Sequence, residues 1–533
     1  LNCLWFEAAD SASGCELPAM PQRCPSCLID YSERYGRSSP VRSFVTGLGV
    51  MSHLLAKHLM SILPGGRERR LVAFSDSREA AATLAMGVEI QQWDHLLRVS
   101  LQKEMRWRAS TGVEVIKREL LFAIESGEEE LVNALLDRAQ AQLAENEYEE
   151  VSRFANMVEG ARKRPERVTA DAKAAMELAR VHQSGYVRVD DLLLTPDPTL
   201  SAELTPVWRD MLFHGVNPGG ASIEQRKLRS EGSTLDWTSV FDCNEDGLLP
   251  RIKDRSAAVL AGVAHLGLGL RSSAWRSLTG RLLYDLESQG VGYLSFPPGM
   301  ALSPPGGMPA EAFRQACESV VRILAQERRT EPSQRDRPQD GFDDAQPTQR
   351  ARSIAGKRVF RYLKAVALNG RVDVLALQNA ICNAFKAAGH VGQDGRWGVV
   401  RMDKLWVKVV DAHALPWTCG RCNQIQWHAS ACVCSRCHAL LPDVPDTRRT
   451  AADITSSHYY ARAALDPSET FRIHSEELTG QTINQAQRQR HFRDIFFEDE
   501  EMTDIGKRRT LKNVDAIDLL SVTTTMEVGV DIG

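Results

Sequence analysis

The chain has 533 residues, 43% of them hydrophobic, which is enough for about two to four domains with buried cores. Its 65 Lys and Arg stand against 69 Asp and Glu, so net charge gives no argument for a polyanionic partner, and any nucleic-acid surface must be a local patch. No apolar run reaches about eighteen residues, the length that a membrane-spanning helix needs.

The start, Leu1-Asn2-Cys3, has no initiator Met and no signal-peptide pattern; both ends read as truncations of a longer cytoplasmic protein. The twelve cysteines concentrate in residues 3–27 and 419–437, a clustering that favours metal over a disulfide framework.

Residues 1–36 form a Cys-rich candidate zinc module in a Pro- and Ser-containing context. Over residues 39–63, Leu54, Leu55, His58 and Leu59 recur at helical spacing, and Pro64-Gly65-Gly66 ends the helix. Residues 70–74 read as a short strand, and Ser75-Asp76-Ser77 caps a helix running from Arg78 through Ala85. Residues 89–185 are mostly helical. Ile116, Leu120, Leu121 and Ile124 make one core-facing stripe, and Leu131, Leu135 and Leu136 another, with Ser126-Gly127 between them. Val187-Arg188-Val189 reads as extended. Residues 205–325 are mixed, with a turn at Asn217-Pro218-Gly219-Gly220.

Residues 327–353 are polar, charged and Pro-containing, and read as a linker. Residues 354–412 give two helices (359–368 and 374–388), then hairpin strands over 397–409 with a Gly-containing turn at 392–395. That order suits a winged helix carrying Arg350, Arg352, Lys357, Arg358, Arg361 and Lys364, or a small α+β packing domain with a solvated basic face. Residues 413–445 hold the second cysteine cluster. Residues 454–533 return to α/β patterning, with a strand at 471–473, a helix at 484–497 and a strand at 516–522.

Cys419-x2-Cys422-x11-Cys434-x2-Cys437 is the most specific local pattern. Two Cys-x-x-Cys turns about a dozen residues apart can set four thiolates tetrahedrally around Zn²⁺, with a redox pair or free thiols as the alternative. His428 and Cys432 lie between the turns as substitutes, Cys432 reading as a spare. Four protein ligands leave no open position, so this metal holds a fold and catalyses nothing. Cys24-Pro25-Ser26-Cys27 is a second such turn. Cys3 and Cys15 are candidates to complete its site, and a ligand upstream is the alternative.

The strand at 516–522 runs into Thr523-Thr524-Thr525 and then Gly529-Val530-Asp531. Hydroxyls, amides and a carboxylate thus follow a strand's carboxyl end, where open α/β sheets bind ligands. Ser75 and Ser77 place two hydroxyls at a helix N-terminus, which suits either a phosphate or ordinary capping.

The closing segment 523–533 resembles motif V of the second motor domain of superfamily 2 helicases, and 71–82 resembles motif IV in the version found in large bacterial helicases. Gly87-Val88-Glu89, Asp94–Arg98, Ser39–Arg42 and the turn at 217–220 extend the likeness. His474-Ser475-Glu476-Glu477-Leu478-Thr479-Gly480-Gln481-Thr482, followed by Arg488-Gln489-Arg490, resembles the segment between those motifs. The family likeness is to superfamily 2 helicases with a long insertion in the second RecA-like domain, as in bacterial DNA-repair helicases and DISARM-type phage-defence helicases. The blocks cover about a third of the chain in the right order. The departure is spacing: motif IV and the Thr-Gly block lie roughly 400 residues apart where a compact motor needs a few tens.

The resemblance implies an α/β fold: a RecA-like parallel sheet from 37–88 and 454–533, interrupted by a large mainly helical insertion with zinc-ribbon-like modules, its helical part at 89–326. It implies contact with nucleic-acid backbone at Ser75, Ser77, Thr479, Gly480, Arg488 (or Arg490) and Thr523, and places Gly529 and Asp531 at the ATP cleft between motor domains. Implied partners are DNA, with RNA left open, the first RecA-like domain of the same protein, and other defence or repair subunits. ATP and Mg²⁺ belong to the intact protein. The chain has no Gly-x4-Gly-Lys-Ser/Thr loop and no acidic box, so the expectation is a fragment inactive alone. A zinc-stabilised DNA-binding or scaffold subunit with a degenerate motor fold is the rival.

Overall fold

The computed structural model describes residues 48–64, 69–111, 113–143, 145–181, 185–196, 204–221, 227–230, 233–243, 250–279, 286–327, 329–331, 354–392, 394–466, 470–479, 485–495 and 514–523. Cys3, Cys15, Cys24, Cys27, Gly480, Gly529 and Asp531, and the linker from residue 332 to 353, lie outside them.

Helix α1 (Leu48–Ile62), strand β1 (Leu71–Ser75) and helix α2 (Arg78–Thr111) begin the described chain. Helix α2 runs far beyond Ala85, because its apolar residues change partner along its length instead of running out. Four helices follow: α3 (Val113–Ser126), α4 (Glu129–Gln142), α5 (Glu145–Lys163) and α6 (Ala170–Val181). The predicted stripe Ile116, Leu120, Leu121 and Ile124 is buried there against Leu135, Val151, Phe154 and Val158. The break between α3 and α4 is a glycine C-cap: Gly127 has φ +80°, its N–H donates to Ile124 O, and the Glu128 N–H donates to Ala123 O at 3.0 Å.

Next come β2 (Tyr186–Arg188), α7 (Val189–Leu192) and α8 (Pro206–Phe213). Two hairpins follow, β3 (Lys227–Ser230) with β4 (Ser233–Asp236) and β5 (Phe241–Cys243) with β6 (Pro250–Ile252). The middle of the chain continues as α9 (Ala257–Thr279), β7 (Gly292–Ser295), α10 (Ala310–Gln326) and β8 (Thr330–Glu331). Within α9, the window Ala257–Ala274 is long and apolar enough to meet the length and composition test for a membrane span. One face of it, with Val259, Val263, Leu266 and Leu270, is buried in the main core, and a core helix passes the same test.

Helices α11 (Ile354–Gly370) and α12 (Val374–Ala387) form where sequence periodicity places them. The strands after them, β9 (Val400–Arg401) and β10 (Trp406–Val409), do not pair with each other as a wing. Instead β9 lies parallel to β8, and β10 is the centre of an antiparallel sheet between β2 and β7. Val407 on β10 has no exposed surface and packs in the main core with Trp208, Phe313, Phe385 and Trp397, a burial that a two-stranded wing does not provide.

The remaining elements are β11 (Trp417–Thr418), β12 (Ile425–Gln426), α13 (Ala451–Ser457), α14 (Tyr459–Leu465), β13 (Ser475–Leu478), α15 (Gln485–Phe492) and β14 (Leu519–Thr523). Strand β14 runs parallel to β1 on one side and to β13 on the other, so the fold is mixed α/β with a small parallel sheet. Ala56, Met60, Val88, Ile473 and Leu519 form one apolar cluster with α1 and α2; Leu478, Phe492, Leu520 and Val522 form another with α15. Buried on both sides, β14 reads as the near-continuous apolar run expected of a central parallel strand.

Strand β13 starts later than the strand predicted at 471–473. Arg472 reaches Asp518 Oδ2 at 3.2 Å and Val514 O at 3.0 Å, and the His474 amide donates to Asp518 Oδ2 at 2.8 Å. Side-chain bonds therefore guide residues 472–474 to the sheet, and strand pairing takes over at Ser475. Helix α2, about 50 Å long at 1.5 Å per residue, joins both cores: Val88 packs in the sheet cluster, while Trp93, Leu96, Leu97, Leu101 and Met105 pack in the main core.

Candidate functional site

The parallel register sets Ser75 opposite Thr523 and Leu478 opposite Val522, so the carboxyl ends of β1, β13 and β14 lie along one edge of the sheet. Ser75, Ser77, Thr479 and Thr523 are thereby gathered at the carboxyl ends of three strands. Ser75 Oγ donates to Val522 O at 3.3 Å across 447 sequence positions, and to Ser77 O at 3.1 Å. Ser77 Oγ accepts from the Ala80 amide at 3.2 Å, which makes it the cap of α2. Ser77 is exposed and Ser75 half-buried, whereas Thr479 and Thr523 are buried. The N-terminus of α2 opens at the same edge, where the helix dipole favours negative charge.

Arg488 is not gathered there. It lies on α15, donates to Glu477 O and pairs with Glu476 Oε2 at 3.3 Å. It lines a cavity of about 270 Å³ with Glu89, Trp93, Asn217, Trp237 and His474. Val514, Asp515 and Ile517, which precede β14, line the cavity too, as do Ile473 and His474 before β13, so it lies at the amino-terminal side of the sheet. Its charged groups bind one another: His474 stands 3.2 Å from Glu89 and 3.6 Å from Glu476.

The second cysteine cluster assembles. The Sγ atoms of Cys419, Cys422, Cys434 and Cys437 all lie within 4.8 Å of one another, with Cys419 to Cys437 and Cys422 to Cys434 each at 3.6 Å. Zinc–sulfur bonds of about 2.3 Å in a tetrahedron separate sulfurs by about 3.8 Å, so the four residues fit a Zn²⁺ ion. Both Cys-x-x-Cys turns are built alike. The amide after each second cysteine returns to the first: Asn423 N–H to Cys419 O and His438 N–H to Cys434 O, both 2.9 Å. The amide of each first cysteine reaches one residue further, Cys419 to Gln424 O and Cys434 to Ala439 O. Asn423 and His438 close the turns at φ +54° and +61°, a region these two residue types tolerate better than most.

Hydrogen bonds from Cys422 and then Cys434 draw the Cys437 thiol below its usual range, and the Cys434 thiol is pushed up by the same sharing with Cys422. Four thiolates this close repel, and a divalent cation offsets that repulsion. His428 is no ligand here: its Nδ1 accepts from the Ser430 amide at 3.0 Å and its Nε2 faces Arg322 at 3.3 Å. Cys432 is exposed and outside the cluster, as its reading as a spare expected.

Sequence reasoning missed the residues that seat this module. Arg322 on α10 reaches Gln426 Oε1 at 2.7 Å and Ser435 Oγ at 3.2 Å, and pairs with Glu287 at 2.5 Å; all four are buried. The available signal was a charged residue inside Val320-Val321-Arg322-Ile323-Leu324, since a buried arginine needs partners. Compared with known protein families, curated proteins and solved structures, the chain matches none.

Proposed function

We propose that this chain is part of an ATP-driven superfamily 2-type nucleic-acid translocase or helicase, in which the carboxyl edge of the parallel sheet grips the phosphate backbone. The observation that supports this reading is the convergence of Ser75, Ser77, Thr479 and Thr523 on one sheet edge from opposite ends of the chain. Hydroxyls and helix-terminal amides contact phosphate without reading bases, so binding is sequence-independent. Arg488 lies away from this edge, in the cavity beside Glu476 and His474, and takes no direct part in the grip. ATP and Mg²⁺ enter through the resemblance alone, with Gly529 and Asp531 at the nucleotide cleft. The four-cysteine module holds a structural Zn²⁺.

Fluorescence anisotropy with a single-stranded DNA oligonucleotide tests the grip. Ser75→Ala combined with Thr523→Ala weakens binding by about tenfold, equivalent to about 1.4 kcal/mol; equal affinity of variant and parent sinks the assignment. In the full-length protein, Asp531→Ala abolishes DNA-stimulated ATP hydrolysis. A second reading, a zinc-stabilised nucleic-acid-binding or scaffold subunit, draws on the seating of the cysteine module in the main core. It predicts DNA binding with no DNA-stimulated hydrolysis in the full-length protein.

A further inference from the structure

Helix α10 is buried from Ala316 to Ala325, yet it carries Gln315, Ser319 and Arg322 at i, i+4 and i+7, the spacing of one helix face. Each of the three holds the stretch between the two cysteine turns, or the second turn itself. Gln315 Oε1 accepts from the Ala431 amide at 3.3 Å. Ser319 Oγ meets Ser430 Oγ at 2.6 Å, and Tyr362 OH from α11 donates to Ser430 O at 2.9 Å. Arg322 holds Gln426, just past the first turn, and Ser435, inside the second; the Ser435 hydroxyl also donates to Gln426 at 3.0 Å. Trp427 Nε1 donates to Glu287 O at 2.9 Å, so the Arg322–Glu287 pair is fastened to the module at both ends.

The gripped segment is itself unfavourable as a free chain. Ser430, Ala431 and Cys432 are consecutive non-glycine residues in the left-handed region, at φ +51°, +51° and +64°. Each costs about 1–2 kcal/mol outside a structure that imposes it. The α10 contacts impose it.

We propose that Gln315, Ser319 and Arg322 are positioning residues that tie occupancy of the four-cysteine site to the cohesion of the main core, so that metal and core form one cooperative unit. This rests on the reading of the cysteine cluster as a zinc site. Gln426 and Ser435, one beside each turn, bond each other directly, and Arg322 bridges the pair and fixes it to α10. A module stabilised by its metal alone has no need of a buried arginine from another element, which requires full pairing to be tolerated.

Two measurements on the whole chain test this. In competition with a chromophoric zinc chelator, Arg322→Met combined with Glu287→Gln, which removes the ion pair without stranding a buried charge, releases zinc about 10–100-fold faster than the parent. Gln315→Ala and Ser319→Ala give smaller increases in the same direction and serve if the double variant does not fold. Leu135→Ala, in the separate cluster of α3, α4 and α5, leaves the release rate unchanged. In hydrogen exchange, chelation deprotects residues 315–324 of α10 as well as 417–441. Parent-like release from folded variants, or deprotection confined to 417–441, overturns the proposal. Protein that carries no metal as purified overturns instead the zinc reading beneath it.

Discussion

His390 has no exposed surface, and its Nδ1 accepts from the Arg401 amide at 3.2 Å. Burial pushes its pKa from 6.5 down to about 4. The unfolded chain thus binds a proton near pH 6.5 that the folded chain refuses until about pH 4. The stability owed to the neutral ring is complete above pH 6.5 and is lost as pH falls towards 4, a loss of roughly 3 kcal/mol. His53 is lowered to about 4 by burial in the same way, and His95 and His428 move in the same direction. Glu318, which burial raises to about 7, opposes them, as do Glu104 and Glu287, also raised by burial, since each favours the folded state as it takes up a proton. The four histidines outnumber these three carboxyls, so the urea midpoint falls between pH 7 and 4. In His390→Gln, which keeps an acceptor for the Arg401 amide, that fall is shallower; an unchanged slope refutes the assignment. Gly269 on α9 shows steric necessity instead: a Cβ there would meet Gly219 O at 2.3 Å. Gly269→Ala costs about 1–3 kcal/mol in a denaturation series, since the obstacle is backbone and cannot rotate away.

At the scale of elements, the cysteine turns and the helices were legible because each is set by local chemistry. Cys-x-x-Cys spacing fixed the four ligands, and apolar periodicity fixed α3, α11 and α12. The position of β13 was not legible, because Arg472 and His474 are occupied by Asp518, a residue far along the chain. Nor was the pairing of β10 with β2 and β7, which depends on the main core. The metal module is small, with strands of two residues each, and its four ligands share with the α10 contacts the task of holding it. Treating the protein with a strong chelator therefore lowers its melting temperature. Because thiolates must lose protons to bind Zn²⁺, metal affinity falls as pH is lowered from 8 to 6. A melting temperature indifferent to chelation contradicts a structural role.

Across the whole molecule, the sheet is closed by chain ends hundreds of residues apart, and its central strand arrives last. Leu520 on β14 has no exposed surface and packs beneath α15 with Leu478, Phe492 and Val522. Leu520→Ala costs about 2–5 kcal/mol locally. Hydrogen exchange then rises in residues 71–75 and 475–478, while residues 313–325 in the main core keep their protection. A uniform rise in both regions contradicts separate cores joined along α2.

The sequence by itself determined the four ligands at 419–437, the Ser75–Ser77 cap, the glycine break at 127 and the apolar character of the strands, since each depends on neighbours within a few residues. Only the tertiary structure decided that Ser75 and Thr523 stand in register, that Arg488 turns to Glu476 and away from that edge, and that Arg322 seats the cysteine module. Those outcomes depend on which distant polar group satisfies a buried donor or acceptor, and local pattern does not encode that choice.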